Sequence, residues 1–145
     1  ILREQFKIAV DVWSVTSFNE LRKEGLSVER DNLMNPARKK KKVPYVTECL
    51  SGKEGPVVAS TDYMKLYADQ IREFVPGNYQ VLGTDGFGRS DSREKLRHFF
   101  EVDRKFIVLA ALAELNSEGV LEASVISKFM KEQGIDPEKV DPVTV

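Results

Sequence analysis

The chain has 145 residues, of which 41% are hydrophobic, so it is long enough for one domain with a core and too short for two. Its 22 basic and 23 acidic residues nearly balance, which argues against a nucleic acid or a membrane surface as the main partner. Cys49 is the only cysteine, which excludes an internal disulfide and a cysteine-based metal site. His98, the only histidine, leaves little room for a histidine metal site or a Ser-His-Asp triad. A reducing, cytoplasmic setting is expected, since no signal-like start or long apolar run is present.

The first third of the chain predicts a strand between helices. Residues 1–6 have helical spacing without a start signal and predict the tail of a helix. The β-branched and aromatic run Ile8–Val15 predicts a mostly buried strand, with Trp13 in the core. A capping box opens the next helix, predicted over residues 17–25, where a glycine is expected to stop it. A short helix then runs over residues 29–36 and ends at a proline.

The rest of the chain alternates helices with two further strands. Arg38–Lys42 is a run of like charges and predicts a solvated, mobile linker. Strands are predicted at Pro56–Ser60 and Tyr79–Leu82, and Cys49 is expected in the core. The remaining helices are predicted over residues 44–50, 64–75, 91–100, 103–119 and 122–133. Strands separated by helices imply parallel pairing, so the predicted fold class is α/β.

Three glycines follow the last predicted strand, in the run Gly83-Thr84-Asp85-Gly86-Phe87-Gly88. Their spacing is neither the dinucleotide fingerprint nor a P-loop. Arg89, Ser90 and the helix start behind them could hold an anion. A tight turn that needs a positive φ angle and close backbone approach explains the glycines as well, and the local chemistry favours it.

Small polar residues follow each of the three predicted strands. The carboxyl ends of parallel strands meet at one edge of a sheet, where ligands commonly bind, so these residues are expected to form one rim. They are Ser14, Thr16 and Ser17 at the end of the first strand, Ser60, Thr61 and Asp62 at the end of the second, and Thr84 and Asp85 at the end of the third. Capping of the following helices would also explain most of them.

No set of catalytic residues stands out in the chain. His98 lies in a predicted helix and is interpreted as a surface or packed side chain rather than a catalytic base. Paired carboxylates, a nucleophile motif and metal-ligand spacing are not found. The residues alone therefore predict a scaffold with a rim, and no catalytic, cofactor-binding or metal-binding residue is assigned.

Several segments resemble a known family. VWSVTSFNEL, VPYV, VVASTDYMKLYADQIREFVP and YQVLGTDGFGRSDSREKLRHFFEVDRKFIVLAALAEL are similar to the C-terminal domain of the homodimeric, bacterial type of pyruvate dehydrogenase, in the transketolase superfamily. The similarity covers essentially the whole chain. The run LGTDGFGRSDSRE is specific to that enzyme, whereas transketolases share a looser G-x-D-x-F-G-x-S form.

The resemblance implies a function for the protein to which the chain would belong. Such an enzyme decarboxylates pyruvate with thiamine diphosphate and Mg²⁺ and reductively acetylates a lipoyl group on its partner, the dihydrolipoyl acyltransferase. The cofactor lies between the other two domains, across the homodimer, and this domain does not hold it. A transketolase-like enzyme and a stand-alone module that binds a small anion are the alternatives.

The resemblance also implies the architecture and the site. We expect residues 1–145 to be a single three-layer α/β/α domain with a mixed, mostly parallel sheet. The family's sheet has five strands, so an absent strand is expected between Ile8–Val15 and Val57–Ser60, and the chain is expected to be an N-terminally truncated piece. Asp85, Phe87 and Arg89 are the principal candidates for an interface with another domain. The full set of rim candidates is Thr61, Asp62, Thr84, Asp85, Gly86, Phe87, Gly88, Arg89 and Ser90.

Overall fold

A computed structural model describes all of residues 1–145 and has helices on both faces of a small parallel sheet. Strands β1 (Val57–Ser60) and β2 (Tyr79–Leu82) form this sheet, with Val57 opposite Tyr79. The helices are α1 (Leu2–Gln5), α2 (Phe18–Met34), α3 (Tyr45–Leu50), α4 (Lys65–Asp69), α5 (Arg93–Phe99), α6 (Arg104–Ser117) and α7 (Ala123–Gln133). Short 3₁₀ turns lie at Arg72–Phe74 and Pro142–Thr144.

Two hydrophobic cores lie on opposite sides of the sheet, because successive strand residues point to opposite faces. Tyr79 and Val81 are buried in the first core, and Leu82 contacts the second. The other buried residues of the first core are Phe18, Val46, Ala68, Ile71, Phe74 and Val75. The buried residues of the second core are Phe106, Val108, Leu112, Phe129 and Ile135. The predicted α/β class and its three-layer arrangement are therefore confirmed.

The predicted strand at Ile8–Val15 is wrong. This segment has no regular structure, and Trp13, expected in the core, exposes 54% of its surface while Val12 exposes 91%. Ile8 alone packs against the second core. A β-rich sequence forms a strand only where a neighbouring strand accepts and donates its backbone hydrogen bonds, and none pairs with this segment.

No backbone ladder joins residues 8–15 directly to β1, and the sheet has two strands rather than the three predicted from the residues. The additional strand expected between these segments stays a prediction. The predicted helix at residues 1–6 is present as α1, whose neighbour Phe6 packs edge-to-face on Phe129 with the ring centres 5.8 Å apart.

Helix α2 is continuous where two helices were predicted. Gly25 was expected to end the first of them, but it lies buried in the middle of α2. A Cβ atom at this position would lie 2.5 Å from the ring of Phe74, so the absence of a side chain lets that ring pack directly on the helix. The glycine is therefore a packing site between α2 and the first core rather than a helix end.

The basic run Arg38–Lys42 is mostly exposed, as its charge predicts, but three of its side chains contact α2. Arg38 and Lys42 both pair with the carboxylate of Asp31 in α2, and these hydrogen bonds lower the pKa of Asp31 to about 2. The ammonium group of Lys41 donates to the carbonyl oxygen of Asn32 at 3.0 Å, near the end of the same helix. Cations favour helix carboxyl ends, so the run folds back onto α2.

The remaining helices differ from the predictions in detail. The helix predicted over residues 64–75 is divided into α4 and a 3₁₀ turn. Ile71 and Phe74, three residues apart, are both buried in the first core. Ser92 rather than Asp91 caps α5. Helix α7 ends at a glycine as predicted, and the expected cap of α6 by an aspartate is present. Cys49 is half-buried rather than fully in the core.

Candidate functional site: the strand-end rim

The loops that follow β1 and β2 lie side by side at one edge of the sheet, because the two strands run parallel. We call these loops, residues 61–64 and 83–90, the strand-end rim. The hydroxyl of Thr84 donates to the carbonyl oxygen of Asp62 at 2.8 Å, and its backbone N–H donates to the carbonyl oxygen of Tyr63 at 2.9 Å. The candidate residues on the rim are Thr61, Asp62 and Thr84–Ser90.

Asp85 connects the two loops through its side chain. Its carboxylate accepts a hydrogen bond of 2.9 Å from the backbone N–H of Lys65, in the first turn of α4. The residue before that helix, Met64, supplies no side-chain cap of its own. Asp85 therefore caps a helix that follows the other strand, which is the capping role considered as the alternative for these polar residues.

Gly83 allows the two loops of the rim to approach each other. A Cβ atom on Gly83 would lie 2.6 Å from the backbone nitrogen of Lys65 and 2.7 Å from the carbonyl oxygen of Tyr63. Both neighbours are backbone atoms, which cannot move away as the end of a flexible side chain can. The close approach expected of the glycine loop is found here.

Gly86 has the positive φ angle that was expected of this loop, +105°. A Cβ atom there would also clash with the carbonyl oxygen of Pro142, which is buried against the loop. Gly88 has neither a positive φ angle nor a neighbour within 4 Å of a Cβ. Phe87, between these glycines, exposes 81% of its surface. The turn interpretation therefore accounts for Gly86 and leaves Gly88 unexplained.

Arg89 and Ser90 end the rim on its exposed side. The guanidinium of Arg89 lies over the ring of Phe99 in α5, 4.1 Å from the ring centre, a cation–π contact. Across the rim, Arg97 of α5 lies 3.8 Å from a carboxylate oxygen of Asp62. Helix α5 therefore lies against the rim and presents arginines to it.

Three of the polar residues predicted at this edge lie elsewhere. Ser14 and Thr16 are exposed and follow no strand, because the strand before them does not form. Ser17 accepts a hydrogen bond of 3.2 Å from the backbone N–H of Glu20 and caps α2. The predicted rim is thus built by two loops rather than three.

The C-terminal segment was not foreseen as part of this region. Pro142 packs under Gly86, and the ammonium of Lys139 donates to the carbonyl oxygen of Phe99 at 2.8 Å and lies 2.9 Å from the Glu101 carboxylate. The side chain of Lys139 is only 18% exposed. One lysine and two prolines after the last helix give no sequence signal for such contacts.

The chain's titratable residues do not form a cluster that could hold a metal ion. No group of three histidine, cysteine, aspartate or glutamate side chains is placed to hold a metal ion. His98 lies 3.1 Å from the carboxylate of Asp103, which at the same time accepts hydrogen bonds from two backbone N–H groups of α6. The pair is therefore part of a helix cap. None of the helices is both long and apolar enough to cross a bilayer.

Comparison with known proteins assigns the family. The family model described as the transketolase-like C-terminal domain matches residues 1–103. The chain belongs to the transketolase-like C-terminal domain family. The α/β architecture and the parallel strand pair agree with that assignment.

Curated relatives extend the similarity beyond residue 103. The pyruvate dehydrogenase E1 component of Pseudomonas aeruginosa is 60% identical over 144 residues, 99% of this chain. Those of Cupriavidus necator and Escherichia coli are each 48% identical, over 100% and 98% of the chain. The chain spans only 16% of the length of each of these relatives. This member of the transketolase-like C-terminal domain family thus corresponds to a small part of much longer proteins.

Proposed function

We propose that the chain is the C-terminal domain of an acetyl-transferring pyruvate dehydrogenase component. The observation that carries this proposal is the 60% identity, across 99% of the chain, to a relative named pyruvate dehydrogenase E1 component. The whole protein would use thiamine diphosphate and Mg²⁺ to decarboxylate pyruvate and would reductively acetylate a lipoyl group. Its partners would be a second copy of itself and the dihydrolipoyl acyltransferase, in the cytoplasm. A transketolase-like enzyme is less well supported, because these relatives do not bear that name.

The residues of this chain do not fit the cofactor. A Mg²⁺ ion that carries a diphosphate needs carboxylate or carbonyl oxygen ligands, and this chain has no group of three histidine, cysteine, aspartate or glutamate side chains placed to hold a metal ion. The rim carboxylate of Asp85 is engaged by a backbone N–H group of α4. The cofactor would therefore be held by other domains, and no chemical step is assigned to this one.

The role proposed for this domain is an interface with another domain of the same polypeptide. Phe87 is 81% exposed, and the rim residues Tyr63 and Met64 expose 64% and 57%. Exposed aromatic and apolar side chains on one surface are typical of interaction sites. The loop that carries Phe87 is joined to the other rim loop through Thr84 and Asp85, and Gly86 packs against Pro142.

Mutation of Phe87 to serine tests the interface. In the full-length protein, F87S is expected to lower pyruvate decarboxylation or dimer assembly about tenfold, because a buried aromatic anchor would be lost. In the 145-residue chain, the free energy of unfolding should change by less than about 0.5 kcal/mol, because the ring is exposed. Val120→Ser, at an exposed site between α6 and α7, is the control. Wild-type activity and assembly of F87S would contradict the interface.

Removal of the other domains tests the placement of the cofactor. The 145-residue chain is expected to show no saturable binding of thiamine diphosphate with Mg²⁺ by calorimetry, and no decarboxylation of pyruvate. The full-length protein should show both, and should acetylate a lipoyl domain. Low-micromolar cofactor binding by the chain alone would contradict the placement of the site, and a full-length protein inactive on pyruvate would contradict the proposed reaction.

A further inference from the structure

A groove of about 460 Å³ lies between the strand-end rim and α5. Gly86, Gly88 and Arg89 form the rim side of this groove, and Asp62 and Thr84 also line it. On the other side, α5 and the residues after it contribute Arg93, Leu96, Arg97, Phe100 and Val102. The groove therefore has polar walls and an apolar strip along its helical side.

Two arginines of α5 face this groove from the same side of the helix. Arg93 and Arg97 are four residues apart, so their side chains are neighbours, and like charges at that spacing repel each other. Arg97 lies 3.8 Å from the Asp62 carboxylate. Arg93 makes no ion pair and no side-chain hydrogen bond with any residue of the chain. Its guanidinium is therefore left without an anionic partner in a groove that already holds another arginine.

Arg89 adds a third guanidinium to the lining. One face of this group is occupied by the ring of Phe99, which restricts its position and leaves the N–H edges for other partners. The carboxylates in the lining are Asp62 and Asp91, and a carboxylate oxygen of Asp91 lies 3.7 Å from the ammonium of Lys95. Of the three arginines, Arg97 is paired with Asp62, and Asp91 is paired with Lys95, so Arg89 and Arg93 have no carboxylate partner in the groove.

Gly88 is one of the residues that line the groove. Neither its φ angle nor a close neighbour requires a glycine there, in contrast to Gly86. Because glycine has no side chain, the backbone at this point of the groove lining is accessible to a ligand.

From these observations we propose that the groove binds the phosphate group of a small phosphorylated molecule. Guanidinium groups bind phosphate oxygens in a planar, two-pronged geometry, and a doubly charged anion between Arg93 and Arg97 would remove their repulsion. The apolar strip of Leu96 and Phe100 would contact the non-polar part of the same molecule. This groove is distinct from the cofactor site that we propose for the other domains, and phosphate binding to it can be measured without an assay of enzyme activity.

Titration of the ¹⁵N-labelled 145-residue chain with inorganic phosphate, at ionic strength kept constant with sodium chloride, tests the proposal by NMR. Saturable shifts are expected at the amides of Gly86 and Gly88 and at the Arg93 side chain. R93Q and R97Q should each raise the dissociation constant about five- to tenfold, because each removes a charged donor. Unchanged chemical shifts of the α7 amides show that each variant remains folded.

Arg30→Gln is the matched control, because Arg30 is an exposed arginine in α2 whose loss changes the net charge equally. R30Q should leave the dissociation constant within about twofold. Shifts that increase linearly and spread over surface lysines and arginines would overturn the proposal, as would equal weakening by R30Q and R93Q. Tighter binding of malonate than of phosphate would overturn the assignment of phosphate as the ligand.

Discussion

Replacement of Gly86 by valine is expected to lower the free energy of unfolding by about 2–4 kcal/mol, whereas the same change at Gly88 should alter it by less than about 0.5 kcal/mol. The two glycines are two residues apart in one exposed loop. The difference in the free energy of unfolding between G86V and G88V therefore reports the local backbone conformation at each position. Gly86 has a φ angle of +105°, a conformation that a β-branched residue does not adopt without strain. Gly88 has no such constraint.

The second contribution to the expected destabilisation by G86V is steric. Its Cβ would meet the carbonyl oxygen of Pro142, and Val143 lies on the same side at 3.6 Å. The C-terminal turn would have to move, and the buried Pro142 would be exposed with it. Urea denaturation followed by circular dichroism measures the free energy of unfolding of both variants. Equal stability of G86V and G88V would contradict the strain, and destabilisation by G88V alone would reverse the assignment.

The elements predicted correctly from the sequence are those with local signals. The run before Gly83 forms β2. Ser17 caps α2 and Asp103 caps α6, and both caps are predictable because a cap is a contact between residues two or three positions apart. The rim formed by two loops was also predictable, since parallel strands bring their ends to one edge. The interface role of its residues stays a prediction.

The errors concern features that depend on distant partners. The residues of Ile8–Val15 have a high strand propensity, but they form no strand because nothing in this chain pairs with them. Gly25 has the local sequence of a helix end, yet the packing of Phe74 on α2 uses the same glycine without ending the helix. The charge of Arg38–Lys42 predicted a solvated linker, and the carboxylate with which Arg38 and Lys42 pair, that of Asp31, could not be identified from charge alone.

The candidate site also combines features with a local sequence signal and features that depend on distant partners. The positive φ angle of Gly86 follows from the turn-like sequence around it, but its neighbour Pro142 is 56 positions away and carries no motif. Arg89, considered from the sequence as part of an anion site, lines the groove beside the rim, whereas Arg93 and Arg97 were not identified from the sequence. That these arginines face the glycines, and that Arg93 lacks a carboxylate, depends on how α5 packs, which local sequence does not determine.

Replacement of Gly83 by alanine is expected to cost about 2–4 kcal/mol and to separate the two loops of the rim. The new methyl group would lie 2.6 Å from the backbone nitrogen of Lys65 and 2.7 Å from the carbonyl oxygen of Tyr63. Since these distances are far below a normal contact, the loop after β1 must shift. That shift would weaken the bond from the Thr84 N–H to Tyr63 and the bond from the Lys65 N–H to the Asp85 carboxylate.

Amide hydrogen exchange distinguishes this local opening from a general loss of stability. In G83A, the amides of Thr84 and Lys65 are expected to exchange faster by a larger factor than the amides of α6 and α7, because the substitution acts on the rim first. G88A, which adds the same methyl group where no atom lies within 4 Å, should leave all of these amides close to wild type. Uniform acceleration throughout the chain in G83A would show that the rim is no separate unit. Unchanged exchange and stability would show that the close approach of the two loops at Gly83 is not a constraint on the fold.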